Sequence, residues 1–161
     1  MSAPAGPSPS AADDRHAICE LLAHYCFLVD SGYHDRLADE VYTADAVDDH
    51  GLGEWRGSDA IRRAFAETMA RFEGTAHVLG NVHVELDGDR ARSRAYVTAW
   101  HWLADRAEPG TIRPADFVVL GAYLDDLRRE PAGWRIARRR FRPVGPSVLA
   151  VGELPDFLLP R

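Results

Sequence analysis

Histidine side chains interrupt two apolar segments that alternate as β-strands do. The segment TAHVLGNVHVEL, residues 75–86, carries His77 and His83 among valines, and the segment at 90–103 carries His101. A neutral imidazole can remove a proton from carbon when a carboxylate holds its other ring nitrogen, which fixes the tautomer and stabilises the imidazolium that forms. Positioned proton transfer of this kind contributes on the order of 10²- to 10⁴-fold in rate. Taken alone, each histidine is more typical of a hydrogen-bonded structural residue.

Asp48, Asp49 and His50 form a second titratable cluster, directly before a glycine-rich turn. Adjacent residues on a strand point to opposite faces, so at most two of the three can share one site. Asp48 and His50 could line a cavity together, but a solvated turn is the favoured interpretation. The remaining histidines of the N-terminal half have no partner at metal-ligand spacing, and we expect no metal site.

The composition excludes several classes of function. All 19 basic residues are arginine, which removes Schiff-base and pyridoxal-phosphate chemistry because both depend on a lysine amine. The net charge of -6 argues against nucleic acid as a partner. Residues 135–142, RIARRRFR, are locally basic, and we interpret most of them as a solvated strand face. The alternative is that one of these arginines reaches an anionic substrate. No stretch reaches the roughly 18 apolar residues of a membrane helix, so we expect a soluble, cytoplasmic protein that contacts no membrane.

The chain is predicted to form a single domain over residues 13–161, after a disordered tail of Pro, Ser, Ala and Gly over residues 1–12. Helices are predicted at 13–30 and 35–42, and a third begins where we expect Ser58 to act as the cap. The remainder is strand-like, with hairpins over 75–103 and 115–143. Three helices followed by a run of antiparallel strands predict an α+β fold, with the helices covering one face of a curved sheet.

Strand alternation predicts which side chains face the helices. The odd positions of 91–103 are small or carry His101, so this face should look inward and leave room for a pocket. In 75–86 the valines and His77 fall on opposite faces. A bulge at Gly80–Asn81 would let His77 and the valines beyond it point inward, with His83 turned outward. Alternation does not choose a face for Tyr123.

Two features predict a homo-oligomer, either a dimer or a trimer. The outer face of the segment at 90–103 is aromatic, with Tyr96, Trp100 and Trp102, and such a face is too apolar to be left fully in water. The C-terminal segment 143–161 is apolar but broken by prolines. We expect it to pack over the mouth of the cavity or on a neighbouring subunit.

Five weak motifs follow one another in a familiar order, and their sequences are YCFLVDSGYHDRL, DDHGLGEWRGSDAI, GTAHVLGN, YVTAWHW and GAYLDDLRREPAGWRI. Between about residue 15 and residue 142 the chain therefore resembles a SnoaL-like member of the nuclear transport factor 2-like superfamily. Such proteins form a cone-shaped barrel, in which a strongly curved, mostly antiparallel sheet wraps three N-terminal helices around a deep apolar cavity. Within the superfamily the chain is most similar to scytalone dehydratase, hexachlorocyclohexane dehydrochlorinase and bile-acid 7α-dehydratase.

The resemblance implies roles for particular residues. Asp30 and His77 fall at the positions of a catalytic Asp–His dyad. His101 matches a second active-site histidine, and Tyr25 matches an active-site tyrosine, although its place on the apolar stripe of the first helix fits a core residue equally well.

Further positions complete the predicted substrate contacts. Tyr123 falls where scytalone dehydratase has a polar cavity residue of another type, an asparagine. Ala99 falls near the catalytic aspartate of the bile-acid enzyme, so that acid is absent here. With Asp48, His50 and Trp55, these two residues make up the candidate substrate-binding set.

The leading hypothesis for function is a cofactor-independent dehydratase, isomerase or cyclase that acts on a hydrophobic small molecule. Proton transfer by an Asp–His pair needs neither a metal nor an organic cofactor. A lysine-free, arginine- and alanine-rich chain suggests a GC-rich genome and makes secondary metabolism plausible. Two alternatives stay open, because this fold also serves other purposes. One is a non-catalytic binding or assembly module, and the other is the small subunit of a ring-hydroxylating dioxygenase.

Overall fold

The computed structural model describes the backbone of residues 10–51 and 53–150, and side chains as far as Val144. Two helices open the chain, α1 (Ala11–Asp30) and α2 (His34–Glu40), and a third, α3 (Ser58–Met69), follows the short strands β1 (Tyr42–Asp49) and β2 (Glu54–Arg56). Four long strands come next, namely β3 (Phe72–Asp87), β4 (Arg90–Leu103), β5 (Phe117–Glu130) and β6 (Gly133–Ala150). A 3₁₀ turn, Ala104–Arg106, lies after β4.

The described strands form one six-stranded sheet in the order β2–β1–β6–β5–β4–β3, with β2 and β3 at its edges. Neighbouring strands run antiparallel, except that β1 and β6 run parallel. The apolar stripe of α1 packs with α3 and with the small inward residues of β4 in one core, whose members include Leu22, Leu28, Ile61, Phe65 and Val97. The predicted α+β fold is confirmed.

The caps of α1 and α3 differ from the prediction, and α2, predicted over 35–42, spans His34–Glu40. The N-terminal tail was expected to reach residue 12, but α1 begins at Ala11 because Ser10 and Asp13 form a capping box, with hydrogen bonds of 2.9 and 3.2 Å between side chain and backbone. Ser58 does not cap α3, because Gly57 holds the cap position with a φ of 82° that favours glycine. Residues 1–9 lie outside the described residues. Within the described ranges, no helix combines the length and the apolar character needed to cross a membrane.

The predicted bulge in β3 is present, and it decides which of its side chains face inward. The pairing of β3 with β4 shifts between Gly80 and His83, and Asn81 adopts a φ of 50°. Before the shift His77 pairs with Ala99, whereas after it Val84 pairs with Ser93. The inward face therefore changes from odd to even positions, so that Val84 and Leu86 pack against the core, whereas Val82, within the shift, is 37% exposed and does not face inward as expected.

The segment from residue 143 was predicted to be a tail, but residues 143–150 continue β6 and pair with β5 in antiparallel register, Pro143 opposite Gly121 and Ala150 opposite Phe117. The remainder of the predicted tail, residues 151–161, lies outside the described residues. On the outer face of the sheet, Val78 is 58% exposed and Tyr96 is 38% exposed. The subunit contact expected on this face stays a prediction.

Candidate functional site

A cavity of about 140 Å³ lies between the helices and the inward face of the sheet. Its wall is mainly apolar and aromatic, which suits a ligand that leaves water. Seven of the sequence-predicted residues line it, namely Tyr25, His50, Trp55, His77, Ala99, His101 and Tyr123. The two predicted carboxylates, Asp30 and Asp48, are hydrogen-bonded to histidines of this wall.

Asp30 and His77 form a hydrogen-bonded pair at the end of α1. The Nδ1–H of His77 donates to Asp30 Oδ1 over 2.6 Å, and the backbone N–H of His77 donates to Oδ2 over 2.8 Å. The hydroxyl of Thr75, two residues earlier on β3, donates to Oδ1 over 2.8 Å. Burial raises the pKa of the Asp30 carboxyl, but the hydrogen bonds and charge of His77, with the bond from Thr75, outweigh it and hold that pKa below its usual value. Asp30 is therefore an anion at neutral pH.

The position of Asp30 fixes which nitrogen of His77 can react. Because Nδ1 carries the proton shared with the carboxylate, the neutral ring keeps its lone pair on Nε2. The His77 side chain is only 7% exposed and lines the cavity, whereas Asp30, behind it, is 25% exposed. This arrangement leaves Nε2 of His77 available to accept a proton at the cavity wall.

His101 lies beside His77 in a strongly apolar setting. Its ring stacks on Phe117 with centroids 4.4 Å apart, and its centroid lies 6.0 Å from that of His77. Burial, helped by the nearby charge of His77, lowers the pKa of His101 to about 4. Its Nδ1 has no hydrogen-bond partner among the described residues. At neutral pH His101 is therefore an uncharged wall of the cavity and a poor proton donor.

Asp48 and His50 are not in a solvated turn, and that sequence interpretation was wrong. Asp48 is fully buried and accepts hydrogen bonds from the Tyr42 hydroxyl and from Nδ1–H of His50. His50 Nε2 lies 3.2 Å from the hydroxyl of Tyr25. Alternation along β1 turns the Asp48 side chain inward, and β1 lies between β2 and β6 in the sheet, so Asp48 sits inside the sheet and not in a solvated turn. Trp55, on β2, pairs with Asp48 in the sheet.

A buried ion pair underlies the aromatic part of the wall, and sequence reasoning missed it. Arg139 and Asp125 are both fully buried and joined by two 2.8 Å hydrogen bonds. The Arg139 guanidinium lies 4.1 Å from the ring centroids of Tyr25 and of Tyr123. The basic segment 135–142 is therefore not a uniformly solvated face, because alternation along β6 turns Arg139 inward against β5. Arg139 does not line the cavity, so the expectation of an arginine reaching an anionic substrate gains no support.

Tyr25 and Tyr123, whose rings lie against the Arg139 guanidinium, keep their phenol protons at neutral pH. Burial raises the pKa of Tyr25 and of Tyr123 above the usual value, although the positive charge of Arg139 opposes the shift. Tyr25 is both a core residue and part of the cavity wall, so the two readings of it are compatible. Ala99 lines the cavity and supplies no carboxylic acid there. Phe65 and Phe141, which were not among the predicted site residues, add aromatic surface to the cavity wall.

The SnoaL-like domain pattern matches residues 10–140 of the chain. An uncharacterized protein of Mycobacterium tuberculosis is 35% identical over 130 residues, which cover 78% of this chain and 82% of that protein.

Solved structures show the same fold. A proposed aromatic ring hydroxylase from Novosphingobium aromaticivorans is 31% identical, with a TM-score of 0.77 over 88% of this chain and 96% of that one. A proposed scytalone dehydratase from the same organism is 20% identical, with a TM-score of 0.72 over 86% and 88% of the two chains. A hexachlorocyclohexane dehydrochlorinase is 17% identical, with a TM-score of 0.73 over 87% and 90%.

Proposed function

Because the chain belongs to the SnoaL-like domain family, we propose that its cavity is an active site and that the protein is a cofactor-independent lyase or isomerase that moves a proton to or from carbon in a hydrophobic small molecule. The single observation that carries this proposal is the Asp30–His77 pair. Its carboxylate holds Nδ1 over 2.6 Å, and its ring lies on the wall of an aromatic cavity.

The chemistry follows from the geometry of that pair. A carbon acid next to a carbonyl gives up its proton to Nε2 of His77, and the negative charge of Asp30 stabilises the imidazolium that results. The hydrophobic wall keeps bulk water from quenching the carbanion or enolate. Returning the proton to another carbon gives an isomerase, and losing a leaving group gives a lyase. Two of the similar structures carry the names of elimination enzymes, a dehydratase and a dehydrochlorinase, which supports the lyase branch.

Exchange of carbon-bound hydrogen is the direct test. Incubating the protein with cyclohexanone in deuterium oxide and following the loss of the α-proton signal by NMR detects proton abstraction whatever step follows it. We expect exchange by the wild type and a loss on the order of 10²-fold or more in His77→Gln and in Asp30→Asn. His24→Gln is the matched control, because His24 pairs with Glu40 outside the cavity and should leave the rate unchanged.

A binding or assembly module is the second candidate, and the hydroxylase name of the structure that is 31% identical favours one form of it, a subunit of a ring-hydroxylating dioxygenase. That role predicts ligand binding, measured by calorimetry, that is equal in the wild type and in His77→Gln, with no exchange in either. A subunit of a ring-hydroxylating dioxygenase would in addition co-purify with a large iron-containing partner. Equal exchange rates in the wild type and His77→Gln would refute the catalytic role of the Asp30–His77 pair.

A further inference from the structure

The cavity holds a second imidazole–carboxylate pair, away from the Asp30–His77 pair. Ring contacts join His50 to Trp55, Phe65, Tyr123 and Phe141 at one end of the wall. At the other end His77 contacts His101, which stacks on Phe117. The cavity wall thus carries two histidines with different neighbours, each hydrogen-bonded at Nδ1 to its own aspartate.

We propose that Asp48, His50 and Tyr25 form a proton relay that protonates the departing oxygen of the substrate while His77 takes a proton from carbon, and that the substrate is a small, neutral, cyclic hydroxyketone. The relay rests on the proposed function, since it supplies the acid for the elimination whose base is His77.

Tyr25 is the member of the relay that meets the substrate, and it cannot act alone. Burial raises the pKa of its phenol well above the usual value, so the free side chain is a very weak acid in this cavity. Its oxygen lies 3.2 Å from Nε2 of His50. An imidazolium at His50 donates Nδ1–H to Asp48 and Nε2–H to the Tyr25 oxygen. Tyr25 can then give up its own proton and receive another in the same event.

The surroundings of the relay compensate the charges that it needs. The carboxylate of Asp48 is fully buried and is oriented by the Tyr42 hydroxyl on one oxygen and by His50 on the other. The Arg139 guanidinium, 4.1 Å from the Tyr25 ring centroid, stabilises the partial negative charge that develops on the phenol during transfer. Two hydrogen bonds to Asp125 keep that guanidinium in place.

The elimination balances without an oxidant or a cofactor. The C–H bond breaks with its proton going to His77 Nε2, and its electron pair becomes the new C=C bond. The C–O bond breaks with its pair going to oxygen, which takes the Tyr25 proton and leaves as water. The Tyr25 oxygen is then protonated again by the Nε2–H of His50. The resting state returns when His77 releases its proton to solvent and His50 takes one up.

Size and charge of the cavity define the substrate class. Among the described residues, those that line the cavity include no Arg, Asp or Glu, so an anionic substrate would find no fixed cation there and a cationic one no carboxylate. A volume of about 140 Å³ suits a single ring, since apolar cavities of roughly this size accommodate benzene. A hydroxyl needs a proton to leave, whereas a halide does not.

That difference supplies the test. Wild type, His50→Gln and Tyr25→Phe are each given β-hydroxycyclohexanone and β-chlorocyclohexanone, and cyclohexenone is measured by chromatography against an enzyme-free blank. We expect both variants to lose on the order of 10²-fold in kcat/KM on the hydroxyketone and less than about three-fold on the chloroketone. His24→Gln again serves as the control outside the cavity, and circular dichroism confirms that each variant is folded.

Each other outcome overturns the relay. Equal losses on the two substrates indicate a structural role for His50 and Tyr25, and no loss on either removes them from the chemistry. If the wild type turns over neither compound, the substrate class is wrong. The cyclohexanone exchange assay then decides the proposed function separately, since that assay requires His77 and Asp30 but no departing oxygen.

Discussion

Replacing His101 by Phe is expected to remove a loss of stability that the wild type suffers in mild acid. The ring of His101 stacks on Phe117 with centroids 4.4 Å apart and planes 6° from parallel, and a phenyl ring can keep this contact. Its Nδ1 has no hydrogen-bond partner among the described residues, and the interactions of the ring with the backbone of Ala99 and Phe117 do not offset the effect of burial on its pKa. The substitution therefore deletes a titratable group with little change in packing.

The sign and size of the effect follow from the pKa of His101 in the two states. Burial lowers the pKa of the folded imidazole to about 4, whereas the unfolded chain has the ordinary value of about 6.5. Between these values the unfolded state binds the proton and the folded state does not. Stability is thus fully present above the unfolded pKa and falls as the pH drops toward the folded one. Linkage gives a loss of about 2 kcal/mol at about pH 5 from this group.

Urea unfolding at about pH 7 and about pH 5 measures the loss, because the difference between the two pH values can be compared between proteins. We expect the free energy of unfolding of the wild type to fall by about 2 kcal/mol more than that of His101→Phe. His83→Phe, on the exposed outer face of β3, is the control and should follow the wild type. Identical pH dependence in the wild type and His101→Phe would show that His101 is not held neutral by burial.

Three further substitutions test the packing around the cavity. Asp125→Asn should lower the free energy of unfolding in urea by about 3–5 kcal/mol, because it leaves the Arg139 charge buried without its counter-ion. The double variant Asp125→Leu/Arg139→Met should regain most of this stability, and a loss below about 1 kcal/mol in Asp125→Asn would contradict the reasoning. Gly121→Ala should lower the free energy of unfolding by about 1–3 kcal/mol and displace Phe141, since a Cβ at this position would lie 2.1 Å from the Phe141 ring and 2.9 Å from the backbone carbonyl oxygen of residue 142. An unchanged melting temperature would contradict this close approach. Asn81→Val should lower the free energy of unfolding by about 1–3 kcal/mol, because a β-branched residue does not tolerate the φ of 50° at the bulge. Asn81→Gly should not lower it, and equal stabilities of the two variants in denaturant would argue against the bulge.

Much of the fold could be predicted from local pattern. The apolar stripes of α1 and α3, the small inward face of β4 and the hairpin turns specify helices, strands and their exposed sides without any tertiary information. The bulge in β3 could also be predicted, because His77 could face inward together with Val84 and Leu86 only if one residue fell out of register. The pairing of Asp30 with His77 came from the family resemblance, since nothing local joins residues 47 positions apart.

The second pair was harder to predict. Asp48, Asp49 and His50 precede glycines, and such a sequence is typical of a wet turn. Asp48 is buried by its neighbours in space, which include the Tyr42 hydroxyl and the strands β2 and β6 on either side of β1. A charged residue beside a turn gives no sequence signal that a strand some ninety positions later will pair alongside it.

Sequence alone therefore determined the elements of this protein and which face of most strands turns inward, because both depend on a periodicity of two or 3.6 residues that is written along the chain. Tertiary structure decided which charges meet. The hairpin turn after Glu130 would by itself place Asp125 opposite Arg138, but the register shifts between Asp126 and Leu127 and brings Arg139 to it instead. Such a one-residue shift changes every side-chain pairing beyond it, and no periodicity within a short stretch of sequence marks where it falls.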